Sequence, residues 1–217
     1  MKKYFENITV KVLIMAYVLF TLLFVLYFVF EKSAVGILHQ ISLFIIFSFI
    51  IKNCLRIKET DSFTGMYKKS KLFKDLERRA KSGKKFKLCL VDFNGLKKIN
   101  DKYGHLAGDK LILAFSSNLK KVFEKDKDIV LYRYTCGDEF CIVLYNNKDC
   151  RFNEFEEKIK KISALKVPIN AADGKKVIIN LTISYGFADY NEKNSIKQIV
   201  DIADKNMYEY KRNFKKR

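Results

Sequence analysis

The sequence predicts an α+β domain, with helices packed on a sheet, that follows a two-helix transmembrane hairpin. Two uncharged apolar runs near the N-terminus predict the hairpin. Beyond residue 52, apolar residues alternate between helical spacing and short runs of strand length, which predicts helices packed on a sheet. The 217 residues are enough for one domain with a proper core besides these spans.

Each apolar run has the length of a membrane-spanning helix. Val12–Phe30 and Ala34–Ile51 carry no charged residue, and only three residues separate them. A helix rises 1.5 Å per residue, so about 20 residues cross the roughly 30 Å hydrocarbon core. A buried helical hairpin in a soluble protein is the alternative. Apolar residues surround both helices instead of forming one stripe, which favours the membrane.

Basic residues predict the orientation of this hairpin. Three precede the first run and three follow the second, whereas the turn has only Lys32. By the positive-inside rule both ends lie in the cytoplasm, which predicts a multi-pass protein of the inner membrane with the lipid bilayer as a partner. The expected organisation is an anchor over residues 1–51, a linker over 52–60 and a cytoplasmic domain over 61–217.

The soluble part shows helical and strand patterns in a definite order. Helices are predicted at residues 70–83, 105–124, 151–165 and 195–213, and strands at 86–93, in two arms of a hairpin over 131–145, and at 176–190. Helix 105–124 is expected to bury one face: Leu106, Leu111, Leu113, Ala114, Leu119 and Phe123. The order helix, strand, helix, strand, strand, helix, strand, helix predicts a sheet covered by helices.

The formal net charge of +18 indicates an anionic partner or surface. A basic surface of this kind binds either nucleic acid or the anionic lipid beside a membrane anchor. The chain has no arginine-rich cluster or known nucleic-acid motif, so no nucleic acid is expected as a partner. Its five cysteines include no C-x-x-C pair, which argues for reduced thiols rather than a disulfide frame or a zinc site.

Carboxylates stand at the ends of two predicted strands. Asp92 ends the strand over 86–93, and Asp138 and Glu139 lie at the tip of the hairpin. If these strands are neighbours, the carboxylates meet and repel, so a cation belongs among them. Hard oxygen ligands suit Mg²⁺, which completes its coordination with substrate phosphates. Acidic hairpin tips are also common as solvated turns, so these residues alone leave both interpretations open.

A longer pattern identifies a family. The spacing D-x-x-x-x-K-x-I-N-D-x-x-G-H-x-x-G-D over 92–109, followed by "CGDEF" over 136–140, resembles the GGDEF domain of diguanylate cyclases. Three further segments resemble motifs of that family in the same order. They are "DSFTGMYKK" (61–69), "LTISYGFA" (181–188) and "ADKNMYEYK" (203–211). The resemblance covers residues 61–217.

The resemblance implies a palm-like fold, as in nucleotide polymerases and class III nucleotidyl cyclases, with a ferredoxin-like core and an antiparallel sheet. It implies a homodimer that condenses two GTP molecules into cyclic di-GMP and two pyrophosphates. It also implies Mg²⁺ or Mn²⁺ as cofactor, two ions per active site. The matching metal ligands are Asp92, the carbonyl of Phe93, Asp138 and Glu139, of which Asp138 and Glu139 are also the expected catalytic residues. The matching substrate-binding residues are Lys97, Asn100, His105, Asp109, Gly137, Lys211 and Lys215.

The chain departs from the family pattern near the motif. Cys136 replaces the first glycine, and Arg133 lies one residue further from the motif than the family's arginine. Either the hairpin carries an extra residue or Tyr134 has replaced that arginine. The upstream product-inhibition motif R-x-x-D is represented only by "KDKD" (125–128), so feedback inhibition is expected to be weak or absent.

Two functions of different classes follow from these observations. The first is a membrane-anchored diguanylate cyclase, because the clustered carboxylates only repel unless a metal binds among them. The second is a catalytically weak or silent module that binds GTP or a partner protein, which Cys136 and the shifted Arg133 favour.

Overall fold

A computed structural model describes residues 15–25, 27, 34–135, 137–145, 149–170 and 176–215. The chain divides into two compact units, Met1–Lys58 and Glu59–Arg217.

Two apolar helices lie among the described residues of the first unit. Helix α1 spans Met15–Val25 and helix α2 spans Ala34–Glu59. The two helices contact each other through aromatic rings, with the Tyr17 and Phe47 ring centroids 6.0 Å apart and those of Phe20 and Phe47 4.8 Å apart. Within α2, the 19 residues of Gly36–Cys54 are long and apolar enough to cross a membrane.

The predicted transmembrane hairpin is therefore supported only in its second span. Among the described residues, Gly36–Cys54 is the one helical segment long enough to span a membrane, and α1 is shorter. The rest of the predicted first span, residues 12–14, 26 and 28–30, lies outside the described residues. The two-span hairpin stays a prediction.

The second unit is built on a six-stranded sheet in the order β1-β3-β4-β2-β6-β5. The strands are β1 (Tyr67–Lys68), β2 (Lys87–Phe93), β3 (Ile129–Arg133), β4 (Phe140–Leu144), β5 (Ala164–Asn170) and β6 (Lys176–Asp189). Four of the five strand pairs are antiparallel. The two-residue β1 pairs in parallel with β3, so the sheet is mixed and the prediction of a wholly antiparallel sheet was wrong at this edge.

Five helices among the described residues of this unit cover both faces of the sheet. They are α3 (Lys69–Lys81), α4 (Leu96–Tyr103), α5 (His105–Val122), α6 (Asp149–Lys161) and α7 (Ile196–Lys215). Residues from α5 and α6 pack into one hydrophobic core, whereas α3 and α7 pack into the other. Strand β2 contributes alternate side chains to both cores, which explains why its sequence is a continuous apolar run.

The structure adds three elements that the sequence did not predict, β1, α4 and β5, and two further details differ. The predicted helix over 151–165 ends at Lys161, and residues 164 and 165 begin β5, in which Val167 and Ile169 alternate inward. On α5, Leu106 is 79% exposed and Leu113 is 40% exposed, so they do not belong to the buried face. That face is instead formed by Ala107, Gly108, Leu111, Ile112, Phe115, Ser116 and Leu119.

Candidate active site

The sheet brings the predicted carboxylates to one edge. Val91 in β2 pairs with Phe140 in β4, and Phe140 also pairs with Arg133 in β3. Asp92 therefore emerges beside the turn that carries Asp138 and Glu139. This confirms the expectation that the two strands are neighbours.

The electrostatics of Asp138 reflect this convergence. Burial raises the pKa of the Asp138 carboxyl, and the negative charges of Asp92 and Glu139 raise it further. The positive charge of Lys211 acts in the opposite direction. Three carboxylates, those of Asp92, Asp138 and Glu139, thus act together with one lysine at this turn, and such an excess of negative charge favours a bound cation.

Lys211 reaches this cluster from α7 and forms an ion pair with Asp92. The helix can come this close because Gly186 in β6 lies directly beneath it. A Cβ at Gly186 would fall 2.2 Å from the carbonyl oxygen of Ala203 and 2.2 Å from the backbone nitrogen of Met207. Met207 precedes Lys211 by about one helical turn, so this close approach sets the position of the ammonium group.

Arg133 supports the hairpin from below. Its guanidinium donates hydrogen bonds to the Gly137 carbonyl, at 3.1 Å, and to Asp61 Oδ2, at 3.0 Å. The same Asp61 oxygen accepts hydrogen bonds from the backbone N–H and the hydroxyl of Thr64, both at 2.8 Å. Although burial acts to raise it, these hydrogen bonds lower the pKa of Asp61. Arg133 therefore links the "DSFTG" segment to the hairpin, although it lies one residue further from the motif than the family's arginine.

A cavity of about 890 Å³ opens beside the cluster. Four of the predicted site residues line it: Phe93, Lys97, Asp138 and Lys211. Lys98, Phe214, Asn94 and Thr182 also line it, although no sequence motif indicated a role for them. Gly95 begins α4 at this cavity, with φ of 81°, and has no side chain to cap the first helical turn. Uncapped N–H groups and lysines are the donors that bind phosphate.

The predicted base-binding residues, Asn100, His105 and Asp109, do not line this cavity. They lie at the end of α4 and the start of α5. Asn100 Oδ1 is buried and has no hydrogen-bond partner among the described residues. A Cβ at Gly108 would fall 2.0 Å from this atom, so Gly108 leaves the room that Asn100 occupies. His105 and Asp109 are exposed on α5. An orphaned buried acceptor next to an exposed carboxylate is a feature expected of a ligand site.

The predicted metal ligands are carboxylates and one backbone carbonyl. Among the described residues, no three His, Cys, Asp or Glu side chains are grouped so as to hold a metal ion by themselves. Mg²⁺ does not require such a cage, because it usually binds one or two protein carboxylates together with substrate phosphates. Asp138, whose pKa is raised by burial and by the charge of Asp92, lies with Phe93 beside a cavity large enough for a nucleotide phosphate, and this set of donors fits such an ion.

Three sequence predictions concern residues that the structure does not fully describe or that it places in another cluster. Cys136 lies outside the described residues, and of Lys215 only the helical backbone is described. The K-x-x-D segment is part of an ion-pair cluster, in which Arg151 contacts Asp126 at 2.7 Å and Asp128 at 3.0 Å.

The comparisons with known proteins agree with the fold and the motifs. Residues 58–217 match the family model described as "Diguanylate cyclase, GGDEF domain". Diguanylate cyclase A of Treponema denticola is 37% identical over 131 residues, which cover 60% of this chain and 33% of the relative. Diguanylate cyclase VdcA of Vibrio cholerae is 26% identical over 151 residues, or 70% of this chain and 43% of the relative. The chain thus matches less than half the length of these relatives.

Solved structures show the same fold. Diguanylate cyclase SiaD of Pseudomonas aeruginosa, solved in complex with its activator SiaC, superposes with a TM-score of 0.67 at 20% identity, over 97% of this chain and 80% of that one. The GGDEF domain of FimX from the same organism superposes with a TM-score of 0.61 at 18% identity, over 71% and 94%. Together with the family match over residues 58–217, the folded unit and its acidic turn establish that the chain belongs to the GGDEF domain family of diguanylate cyclases.

Proposed function

We propose that this protein is a diguanylate cyclase that condenses two GTP molecules into cyclic di-GMP and two pyrophosphates. The observation that carries the proposal is the meeting of Asp92, Asp138 and Lys211 beside the cavity, of which Asp138 and Lys211 form part of the lining. Such a cluster of opposite charges is costly to maintain and suits a metal-bound triphosphate.

Asp92, the Phe93 carbonyl, Asp138 and Glu139 would hold Mg²⁺ or Mn²⁺, two ions per site. When bound, these ions neutralise and orient the phosphates for attack. Lys97 and Lys211, with the first turn of α4, would bind the triphosphate, since Lys97, Lys211 and Gly95 line one cavity. Gly137, which is exposed at the turn, lets the backbone approach a phosphate, and Lys215 adds positive charge.

Asn100 and Asp109 would recognise guanine, with His105 beside them. Guanine has two donors on its pairing edge, which suit the Asp109 carboxylate, and adenine lacks them. The buried and unpaired Oδ1 of Asn100 supports this assignment, because a bound base would supply its missing donor.

Asp138 and Glu139 would carry the catalytic step. Burial raises the pKa of the Asp138 carboxyl, which makes it a better proton acceptor than an ordinary aspartate. In the reaction, the 3′-hydroxyl of each GTP gives its proton to the carboxylate, and its oxygen attacks the α-phosphorus of the other GTP, so that two phosphodiester bonds form and two pyrophosphates leave. Each subunit of a homodimer would present one GTP, so pairing of subunits would control the rate.

The N-terminal part, residues 1–51, would anchor the enzyme in the inner membrane through two spans, with residues 52–60 as linker and 61–217 as the cytoplasmic domain. The apolar Gly36–Cys54 segment supports one of these spans. The net charge of +18 is consistent with a domain held beside anionic lipid, and nucleic acid is not proposed as a ligand.

The test is to incubate the purified full-length chain with GTP and Mg²⁺ and to measure cyclic di-GMP by mass spectrometry. Asp138→Ala and Asp92→Ala are each expected to abolish turnover without unfolding the protein, because loss of one carboxylate relieves repulsion. Asp204→Ala is the matched control, since Asp204 is an exposed aspartate on α7. GTP binding without any product would instead support a silent GTP-binding module.

A further inference from the structure

The turn between β2 and α4 is fastened to β6 by one asparagine. Asn94 follows Phe93, and its backbone N–H donates to the Thr182 carbonyl at 2.9 Å. Its side chain then folds back onto the same strand. The amide nitrogen donates to Thr182 Oγ1 at 3.3 Å, and the amide oxygen accepts a hydrogen bond from Ser184 Oγ at 2.7 Å.

These contacts lie at a functional position of the sheet. Asp92 pairs with Ser184 in the β2–β6 ladder, and the next residue, Phe93, pairs with Ile183. One residue beyond Asn94 the backbone turns into the left-handed region at Gly95 and α4 begins. Asn94 therefore lies in the short segment that joins two predicted metal ligands, Asp92 and Phe93, to the first turn of α4. That turn lines the cavity.

The chemistry of each group explains why an asparagine occupies this position. Ser184 is fully buried, so its hydroxyl needs an acceptor, and the Asn94 amide oxygen supplies it. The amide nitrogen at the same time supplies a donor to Thr182. An aspartate would offer no donor, and a leucine of similar size would leave the buried serine hydroxyl unpaired.

We propose that Asn94, Thr182 and Ser184 form a clamp that positions the Phe93 carbonyl and the first turn of α4 for the metal-bound triphosphate. This inference rests on the proposed function and adds positioning residues to it. Ser184 acts only through Asn94, and its hydroxyl is removed from the cavity. Loss of the clamp lets the turn relax, so the metal and the nucleotide bind more weakly while the fold persists.

The test measures binding rather than turnover. Full-length protein is titrated with Mn²⁺ in the presence of 3′-deoxy-GTP, which lacks the attacking hydroxyl, and free Mn²⁺ is followed by electron paramagnetic resonance. Ser184→Ala is expected to weaken Mn²⁺ binding about tenfold, because it leaves a polar amide oxygen without its donor. Ser116→Ala is the control, since Ser116 is also buried but donates within α5 to the Ile112 carbonyl, and it is expected to change binding less than about twofold.

A second pair of variants keeps the test valid if Ser184→Ala fails to fold. Thr182→Val removes the hydroxyl at constant shape and is expected to weaken Mn²⁺ binding, whereas Thr182→Ser retains the hydroxyl and is expected to match the parent. In a double-mutant cycle, Asn94→Ala with Ser184→Ala is expected to bind no more weakly than Asn94→Ala alone. If Ser184→Ala and Thr182→Val bind Mn²⁺ as the parent does, or if the effects in the cycle are additive, the clamp is refuted while the proposed function stands. Absence of Mn²⁺ binding in the parent would refute the proposed function, and the clamp with it.

Discussion

Replacing Gly186 with alanine is expected to push α7 away from the sheet and to carry Lys211 away from Asp92. The added Cβ would lie 2.2 Å from the Ala203 carbonyl oxygen and from the Met207 nitrogen, whereas ordinary van der Waals contact begins at 3.4 Å. Both neighbours are backbone atoms, so no side-chain rotation relieves the overlap. The helix must therefore move by about 1.2 Å, the difference between these two distances.

The displacement predicts two separate effects. Overpacking of this kind costs about 1–3 kcal/mol, which in a chain of this size lowers the melting temperature by about 2–4 °C per kcal/mol. The backbone of Lys211 moves with α7, so its side chain must reach further to Asp92, and a misplacement of roughly 1 Å at a reacting group costs on the order of 10²-fold in rate. Gly186→Ala is thus expected to lose far more activity than its loss of stability explains.

The assay compares thermal unfolding, followed by circular dichroism at 222 nm, with cyclic di-GMP formation below the melting temperature. Ile159→Val is the control, because Ile159 is fully buried on α6 and its truncation costs about 0.5–1.5 kcal/mol without touching α7. It is expected to lower the melting temperature while turnover stays near that of the parent. Parent-like turnover in Gly186→Ala would show that the position of Lys211 does not depend on this contact.

Four further predictions concern single residues. Burial and neighbouring carboxylates raise the pKa of Asp138, so its protonated form contributes stability that is lost as pH rises through that pKa. In thermal scans, the Asp138→Asn variant is therefore expected to have a higher melting temperature than the parent at pH ~7 and the same melting temperature below pH ~3. Asp109→Asn is expected to narrow the preference for GTP over ATP in kcat/KM, and equal use of both by the parent would contradict the guanine assignment. Lys125→Ala is expected to leave product inhibition unchanged in progress curves, because the adjacent acidic residues pair with α6. Cys136→Gly is expected to keep turnover within a fewfold of the parent; a gain of about tenfold would indicate about 1.4 kcal/mol of transition-state strain from the natural cysteine.

Local sequence signals predicted most of the second unit. Strand β2 and helices α3 and α7 have apolar patterns that match the cores they enter, so periodicity located them. The end of α6 was misplaced because the apolar residues at 164 and 165 fit a helix and a strand equally well. Only pairing with β6 decides in favour of the strand.

Contacts between distant residues could not be predicted in the same way. Asn94 lies 88 residues from Thr182 and 90 from Ser184, and no local pattern records such a hydrogen bond. Arg133 shows the same limit. Its shifted position left two interpretations open, and only its buried guanidinium, which joins Asp61 to the Gly137 carbonyl, shows that it still serves the hairpin.

The ion pair between Lys211 and Asp92 offsets part of the negative charge at this edge of the sheet. Carboxylates at this edge would repel one another, and the raised pKa of Asp138 reflects that repulsion together with burial. A lysine is a flexible point charge, so it can neutralise Asp92 and later move to a phosphate without disturbing the backbone. An arginine would bind the carboxylate through a planar fork that is harder to displace. Because Gly186 allows α7 to approach the sheet closely, the Lys211 ammonium lies near Asp92. In the proposed reaction this ammonium first neutralises Asp92 and then binds a phosphate.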